Sequence, residues 1–232
     1  MNTNKKHIDF IKRNFLIIIF VFIEAVLYAS FLSFDFIDTR ISEYIKYASI
    51  LTCLLASFYA TRKKRSICSV FTTLAILFTC FSDYFLLLSH NSSLFYVGIF
   101  TFFIAQIFYT LVINKRSKTK KLTLDLSLRV SLTVILLVVA ISIKLDALTT
   151  CALIYFIELL TNFIMSLVHS KSDKRNLILA LAFFLFILCD INVALNNLSI
   201  ENENFKFAIY FMMWLFYLPS QVILSINSYF LE

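Results

Sequence analysis

Eight apolar runs divide this chain, and each is close to the roughly 17–25 residues that an α-helix needs to cross a bilayer. The segments between them are too short to form a soluble domain. The sequence therefore predicts an all-α fold, a polytopic bundle of eight transmembrane helices that forms a single integral membrane domain over residues 1–232. The predicted spans are about 15–34, 44–60, 66–88, 94–113, 124–143, 147–168, 177–195 and 207–228.

Composition agrees with this fold and argues against several classes of protein. Hydrophobic residues make up 60% of the chain, whereas soluble domains average about 45–50%. One glycine and one proline argue against glycine-rich phosphate loops and repeatedly broken transport helices. The five cysteines form no C-x-x-C pair, so we expect small buried side chains and neither a disulfide framework nor a zinc site. We expect no cofactor and no metal.

Basic residues predict how the helices are oriented. The net charge of +7 does not indicate a nucleic-acid partner, because the basic residues lie between the apolar runs and not on one face. The N-terminal arm and alternate loops, together with Arg129, carry 17 of the 21 basic residues. Loops rich in Lys and Arg face the cytoplasm. We therefore expect a multi-pass protein of the cell membrane with both termini in the cytoplasm, and the other four basic residues, Arg40, Lys46, Lys144 and Lys206, in the opposite loops.

Two aspartates within apolar runs are the strongest functional signal. Asp83 lies in TTLAILFTCFSDYFLLLSH, which ends at His90, and Asp190 lies in FFLFILCDINVALNNL. An acid at the centre of a spanning helix costs about 2.5–3.5 kcal/mol on insertion scales, so such residues are usually functional. The third and seventh helices run in the same direction, and both aspartates lie past the midpoint. We expect their carboxyl groups to face each other at similar depth across a water-accessible cavity.

Other polar residues in the runs should face the bundle interior. Hydrogen bonds between helices, worth about 0.6 kcal/mol each, account for many of them. The acids fit that interpretation less well, because the only base within a span is Arg129, near the opposite face. The supporting candidates are Glu24, Gln106, Tyr109, Glu158, Asn162 and Gln221, and the polar stripes are Cys151, Tyr155, Glu158, Asn162 and His169 in the sixth helix and Tyr210, Trp214, Tyr217, Gln221 and Ser228 in the eighth.

A short internal similarity predicts two parallel four-helix repeats. FSDYFLLLSHN followed by IAQIFYTLVI, from the third and fourth runs, resembles LCDINVALNN followed by LPSQVILSI, from the seventh and eighth. Each copy has an acid after a small residue, a polar cluster at the helix end and a Gln in the next helix. Four helices separate the copies, so the repeats have the same orientation.

Four segments resemble, in order, the signature segments of the YhhN-like lysoplasmalogenase family of eight-helix membrane proteins. They are FSDYFLLL, VGIFTFFIAQIFYTLVI, FILCDINVALNN and FYLPSQVILSI. Family members usually have Ser before the second Asp, where this chain has Cys189, and His in the fourth helix, where it has Gln106. A glutamine side chain cannot shuttle protons.

The resemblance implies hydrolysis of the vinyl ether bond of lysoplasmalogens to a fatty aldehyde and a glycerophospho-base. The substrate would be a lysophospholipid from the surrounding membrane lipid. Asp83 and Asp190 would be the catalytic residues, dividing general acid and general base work as paired carboxyl groups do in inverting glycosidases.

Two alternatives stay open at the level of the sequence. Acids within a membrane also form proton or cation relays, so a coupled transporter or channel is one alternative, and parallel repeats suit it. A membrane sensor or partner-binding domain without catalytic activity is the other.

Overall fold

The computed structural model describes residues 3–89, 91–116, 122–171, 173–197 and 202–229. Within these ranges the chain is all-helical, which confirms the predicted class and the count of eight helices. The helices are α1 (Thr3–Phe34), α2 (Thr39–Lys64), α3 (Ile67–Asp83), α4 (Phe95–Arg116), α5 (Leu122–Ser142), α6 (Ala147–Ser170), α7 (Arg175–Asn196) and α8 (Glu203–Tyr229). A π-helix, Tyr84–Leu88, and a short 3₁₀ helix, Ser92–Leu94, lie between α3 and α4.

Seven of these helices are long and apolar enough to cross a membrane, and α2 is the exception. The predicted run at residues 44–60 lies within α2, and its crossing of the membrane stays a prediction. The side chains that α2 turns into the bundle are polar, and Ser42, Lys46, Ser49 and Ser57 are buried. Polar neighbours within the bundle therefore stabilise α2. The cytoplasmic placement of both termini stays a prediction.

The sequence had placed Lys46 in a loop, and this prediction is wrong. Lys46 lies in the bundle interior. Its ammonium group donates to Asp35 Oδ1 at 2.6 Å and to the Tyr210 hydroxyl at 3.1 Å. The same group lies 4.6 Å from the centre of the Tyr210 ring and 4.8 Å from that of Trp214. Ser42 also donates to Asp35. The bundle therefore contains a buried ion pair at one end of α2.

The order of helix neighbours supports two parallel repeats. α3 packs on α4 as α7 packs on α8, α2 on α3 as α6 on α7, and α4 on α6 as α8 on α2. Asp38 and Asp146 cap the equivalent helices α2 and α6. Asp38 Oδ1 accepts from the Arg40 backbone N–H, and Asp146 Oδ1 accepts from that of Thr149, both at 2.9 Å.

Four cysteines are buried, but Cys151 is exposed. The expectation of a buried side chain is wrong at this position because Cys151 follows the largely exposed first turn of α6. All five thiols are free.

Pro219 interrupts the backbone hydrogen bonding of α8. Proline has no N–H to donate to the carbonyl group four residues earlier, which belongs to Leu215. The Tyr28 hydroxyl of α1 donates to this carbonyl oxygen at 3.4 Å. The proline therefore frees a carbonyl group through which α1 attaches to α8.

Candidate active site

Asp83 lies where α3 changes into the π-helix Tyr84–Leu88. The hydroxyl of its neighbour Ser82 donates to the Gly98 carbonyl oxygen at 2.6 Å, which attaches this end of α3 to α4. Single π-helical turns within a helix occur frequently at functional sites. The irregular turn and its attachment to α4 fix the backbone that carries Asp83.

Gly98, the chain's only glycine, lets α4 approach the π-helix closely. A Cβ atom on Gly98 would lie 2.6 Å from Leu86 Cγ and 2.7 Å from Leu86 Cδ2. Unbonded carbon atoms pack at about 3.5–4.0 Å. Any larger residue at this position would therefore displace Leu86 and the turn that follows Asp83.

Gly98→Ala should destabilise the protein and disturb Asp83. Inserting a methyl group into a packed interior typically costs about 1–3 kcal/mol. We expect a lower melting temperature for the detergent-solubilised variant. The double variant Gly98→Ala/Leu86→Ala should recover part of this loss, because the shorter side chain leaves room for the new methyl group. A wild-type melting temperature for Gly98→Ala alone would contradict the contact.

Each of the two aspartates is hydrogen-bonded to a tyrosine from another helix. The Tyr217 hydroxyl of α8 donates to Asp83 Oδ2 at 2.6 Å, and the Tyr155 hydroxyl of α6 donates to Asp190 Oδ2 at 2.8 Å. Asp83 is 4% exposed, whereas Asp190 is partly buried. Among the described residues, no basic side chain forms an ion pair with either carboxyl group. The structure therefore contains two Asp–Tyr pairs within the bundle.

Aromatic side chains connect the two pairs. The Phe102 ring lies 5.5 Å from the Tyr155 ring and 6.4 Å from the Tyr217 ring, centre to centre. Phe186 lies 5.7 Å from Phe102 and 5.3 Å from Tyr217. The two aspartates thus belong to one region of the bundle, where α3, α4, α6, α7 and α8 meet.

Neither tyrosine was singled out as a site residue from the sequence. Tyr155 and Tyr217 do lie on the polar stripes of α6 and α8, so the pattern placed them on the inward faces. A stripe gives no partner for a phenol, and only the fold brings Tyr217 to Asp83, 134 positions away.

Glu158 and Asn162 belong to a separate network around Arg129. The sequence had placed Arg129 away from the acids in the spans, but the structure pairs it with one of them. The Arg129 guanidinium donates to Glu158 Oε2, and it reaches Asp125 Oδ1 and Asn162 Oδ1, both at 2.9 Å. The Asn162 amide donates to Gln106 Oε1 at 3.0 Å. Glu158 is therefore half of an ion pair, and this network joins α4, α5 and α6.

Glu24 lies in a third location, between α1 and α2. Ser49 and Thr52 donate to its carboxylate, and the Cys53 thiol lies 3.6 Å from Oε1. These donors satisfy the buried carboxylate. The structure does not bring Glu24 to the aspartates.

Gln106, Tyr109 and Gln221 are fully buried. Tyr109 packs against Phe183, with ring centres 5.4 Å apart. Within the described ranges, Gln106 Nε2, the Tyr109 hydroxyl and both polar atoms of the Gln221 side chain have no hydrogen-bond partner.

The sequence predicted a cavity between α3 and α7. Two cavities in the structure lie elsewhere, on the side of the bundle. One, of about 260 Å³, is lined by Arg129, Glu158 and apolar residues of α5, and the other, of about 310 Å³, lies between α1, α2 and α8. Neither is lined by Asp83 or Asp190. The described residues contain no cluster of three or more His, Cys, Asp or Glu side chains suited to a metal ion. His90 lies outside the described residues.

A family model gives this arrangement a context. The model described as YhhN family matches residues 43–226, more than three quarters of the chain. The chain belongs to the YhhN family. No curated protein and no solved structure matches it.

The YhhN match begins in α2 and ends in α8. It therefore includes both Asp–Tyr pairs and the Arg129 network, and it leaves out the whole of α1, with Glu24. The segments that resembled YhhN signatures in the sequence carry Asp83, Gln106, Asp190 and Gln221. The family assignment made from those segments is confirmed.

Proposed function

We propose that this YhhN-family protein is a lysoplasmalogenase-like hydrolase that cleaves the vinyl ether bond of a lysophospholipid. The observation that carries the proposal is the pair of aspartates, each bonded to a tyrosine and joined by Phe102 and Phe186 in one region of the bundle. Family membership supports the same reaction. Carboxyl groups without a cationic partner inside an apolar bundle suit proton transfer to and from a substrate.

The depth of the aspartates fits the position of the bond to be cleaved. Asp83 lies five residues before the end of the π-helix at Leu88, and Asp190 lies six before the end of α7 at Asn196. At about 1.5 Å per residue, both lie about 8–9 Å from the helix ends. A vinyl ether is attached directly to the glycerol backbone, so it lies near the polar surface of the bilayer and not at its centre.

The reaction needs one acid and one base. A neutral carboxyl group donates its proton to the double-bond carbon that is not attached to the ether oxygen, which gives an oxocarbenium ion. The other group, ionised, accepts a proton from the water that adds to this cation, and the product is a hemiacetal. Collapse of the hemiacetal breaks the bond to the glycerol oxygen, which takes up a proton, and releases the aldehyde. Two separated carboxyl groups divide the work of inverting glycosidases in the same way.

The tyrosines position the carboxyl groups for this chemistry. Each phenol binds one oxygen, Oδ2, so the other oxygen can face a substrate or water. A hydrogen bond to the ionised form of a carboxyl group stabilises that form. The aromatic rings between the pairs offer an apolar surface for an alkenyl chain.

Purified protein should release fatty aldehyde from alkenyl lysophospholipids and not from the alkyl or acyl analogues. Only the alkenyl compound has the double bond that accepts the proton. Aldehyde can be measured by mass spectrometry after trapping with a hydrazine. Release of fatty acid from the acyl compound would indicate an esterase, and no release of aldehyde from the alkenyl compound would contradict the proposal. Proton or cation flux in proteoliposomes without aldehyde release would favour the transporter alternative.

A further inference from the structure

Four fully buried polar side chains lie one to two helical turns from the Asp83–Tyr217 pair, toward the C-terminal ends of α4 and α8. None of them donates or accepts a proton in the proposed reaction. We call them the polar layer: Thr79 of α3, Gln106 and Tyr109 of α4, and Gln221 of α8. Their relative positions follow from the contacts between these helices.

The contacts establish that α3 runs opposite to α4 and α8. Ser82 bonds Gly98 near the start of α4, whereas Phe78 stacks on Phe108, further along α4, at 5.6 Å. Lys46 and Lys63 of α2 bond Tyr210 and Tyr229 of α8, so α2 and α8 run in parallel. α2 runs opposite to α3, since the Cys80 thiol lies 3.6 Å from the Ile50 carbonyl oxygen and Ser57 bonds Thr73 at 2.6 Å.

Thr79, Gln106 and Gln221 therefore occupy one level. Thr79 lies one turn before Asp83 on α3, and Gln221 one turn after Tyr217 on the antiparallel α8. Gln106 lies one turn after Phe102, whose ring contacts Tyr217. Residues four apart share a helix face and are separated by about 6 Å along the axis.

Tyr109 extends this level by another turn. It lies three residues after Gln106 on α4 and contacts Phe183 of α7. The polar layer is thus a path about two turns deep, which begins at the aspartate level.

Five hydrogen-bonding atoms of the polar layer are unsatisfied. In the part of the chain that the structure describes, no hydrogen bond is formed by Thr79 Oγ1, Gln106 Nε2, the Tyr109 hydroxyl or Gln221 Nε2 and Oε1. Buried polar groups are nearly always hydrogen-bonded, to protein or to ordered water. Four such side chains at adjacent levels of one bundle indicate a shared partner and not four separate defects.

We infer that the polar layer binds a small cluster of water molecules beneath Asp83. The unsatisfied atoms include both hydrogen-bond donors and acceptors. Water can satisfy them all because it both donates and accepts hydrogen bonds. If the proposed function is correct, on which this part rests, the cluster supplies the water that adds to the oxocarbenium ion. The apolar alkenyl chain then lies against Phe102 and Phe186, and water reaches the reacting carbon from the polar layer.

Hydroxyl-radical footprinting with mass spectrometry tests the inference without any substrate. Radicals generated from bound water oxidise adjacent side chains, so Tyr109 should be oxidised several-fold faster than Phe31, although both are fully buried. Phe31 is the control because its polar neighbour Lys46 is already paired. Equal and slow oxidation of the two rings would overturn the inference.

A second variant keeps the test independent of one probe. Gln221→Met has nearly the same shape and removes two unsatisfied atoms. If water fills the polar layer, Tyr109 should be oxidised more slowly in this variant than in the wild type. The melting temperature of the variant should not rise. A dry layer predicts the reverse, a raised melting temperature with unchanged slow oxidation, which would overturn the inference. Rapid oxidation of Tyr109 in a protein that cleaves no vinyl ether would remove only the proposed function.

Discussion

Asp83→Asn and Asp190→Asn should each lower the rate of vinyl ether cleavage by about 10²–10⁴-fold. Asparagine is almost isosteric with aspartate and still accepts a hydrogen bond from the tyrosine, but it can neither donate a carboxylic proton nor act as a base. Structural roles should therefore survive both changes, and melting temperatures should stay close to wild type. Aldehyde release per mole of folded protein is the measurement.

Two controls accompany this prediction. Glu24→Gln removes a buried carboxylate that lies away from the aspartates, so it should leave cleavage largely unchanged. Wild-type activity should show a bell-shaped pH profile that belongs to the coupled pair of carboxyl groups and not to either one. Near-normal turnover in both asparagine variants, from a wild-type protein that does cleave the substrate, would remove the paired-carboxyl mechanism and leave the family assignment intact.

Lys46→Met should give the largest loss of stability among single substitutions in the bundle. Lys46 and Asp35 are a buried ion pair, with side chains 0% and 1% exposed. Removing one member of such a pair typically costs about 3–5 kcal/mol, because the other charge stays buried without a partner. We expect a large fall in melting temperature and poor recovery of folded protein.

The double variant Lys46→Met/Asp35→Asn separates the lost charge from the lost packing. Replacing both members of a buried pair by uncharged residues is often neutral or stabilising. The double variant should therefore be more stable than Lys46→Met alone. A double variant as unstable as the single one would show that the Lys46 stem, packed between aromatic rings, matters more than its charge.

Most of the fold could be read from the sequence because hydrophobic length decides it. A run such as residues 177–195 has no stable alternative to a helix in a bilayer, since every backbone polar group must be satisfied within the segment. The run in α2 is less apolar than the others, because Lys46 and the buried serines are polar yet face inward. Hydropathy averages over a helix, and it does not record which face carries the polar groups.

The candidate site was only partly predictable. Asp83 and Asp190 stand out because a carboxyl group in an apolar run is rare. The partners Tyr217 and Tyr155, and the pairing of Arg129 with Glu158, depend on which helices are neighbours. Gly98 could have been noticed as the only glycine, but its role depends on Leu86 lying opposite. Contacts between distant segments are set by packing and not by local pattern.

The polar character of α2 also bears on how the chain enters the membrane during synthesis. A lysine inserted alone costs up to about 2.5–3.5 kcal/mol, the value at the centre of a spanning helix, and Lys46 lies seven residues after the start of α2. Asp35 is only eleven residues from Lys46 and lies in the turn after α1, so the two charges can pair as soon as both have left the ribosome. Tyr210, the other partner, is made 164 residues later. We therefore expect α1 and α2 to insert together as a hairpin that carries its own counter-ion, with α8 joining it last.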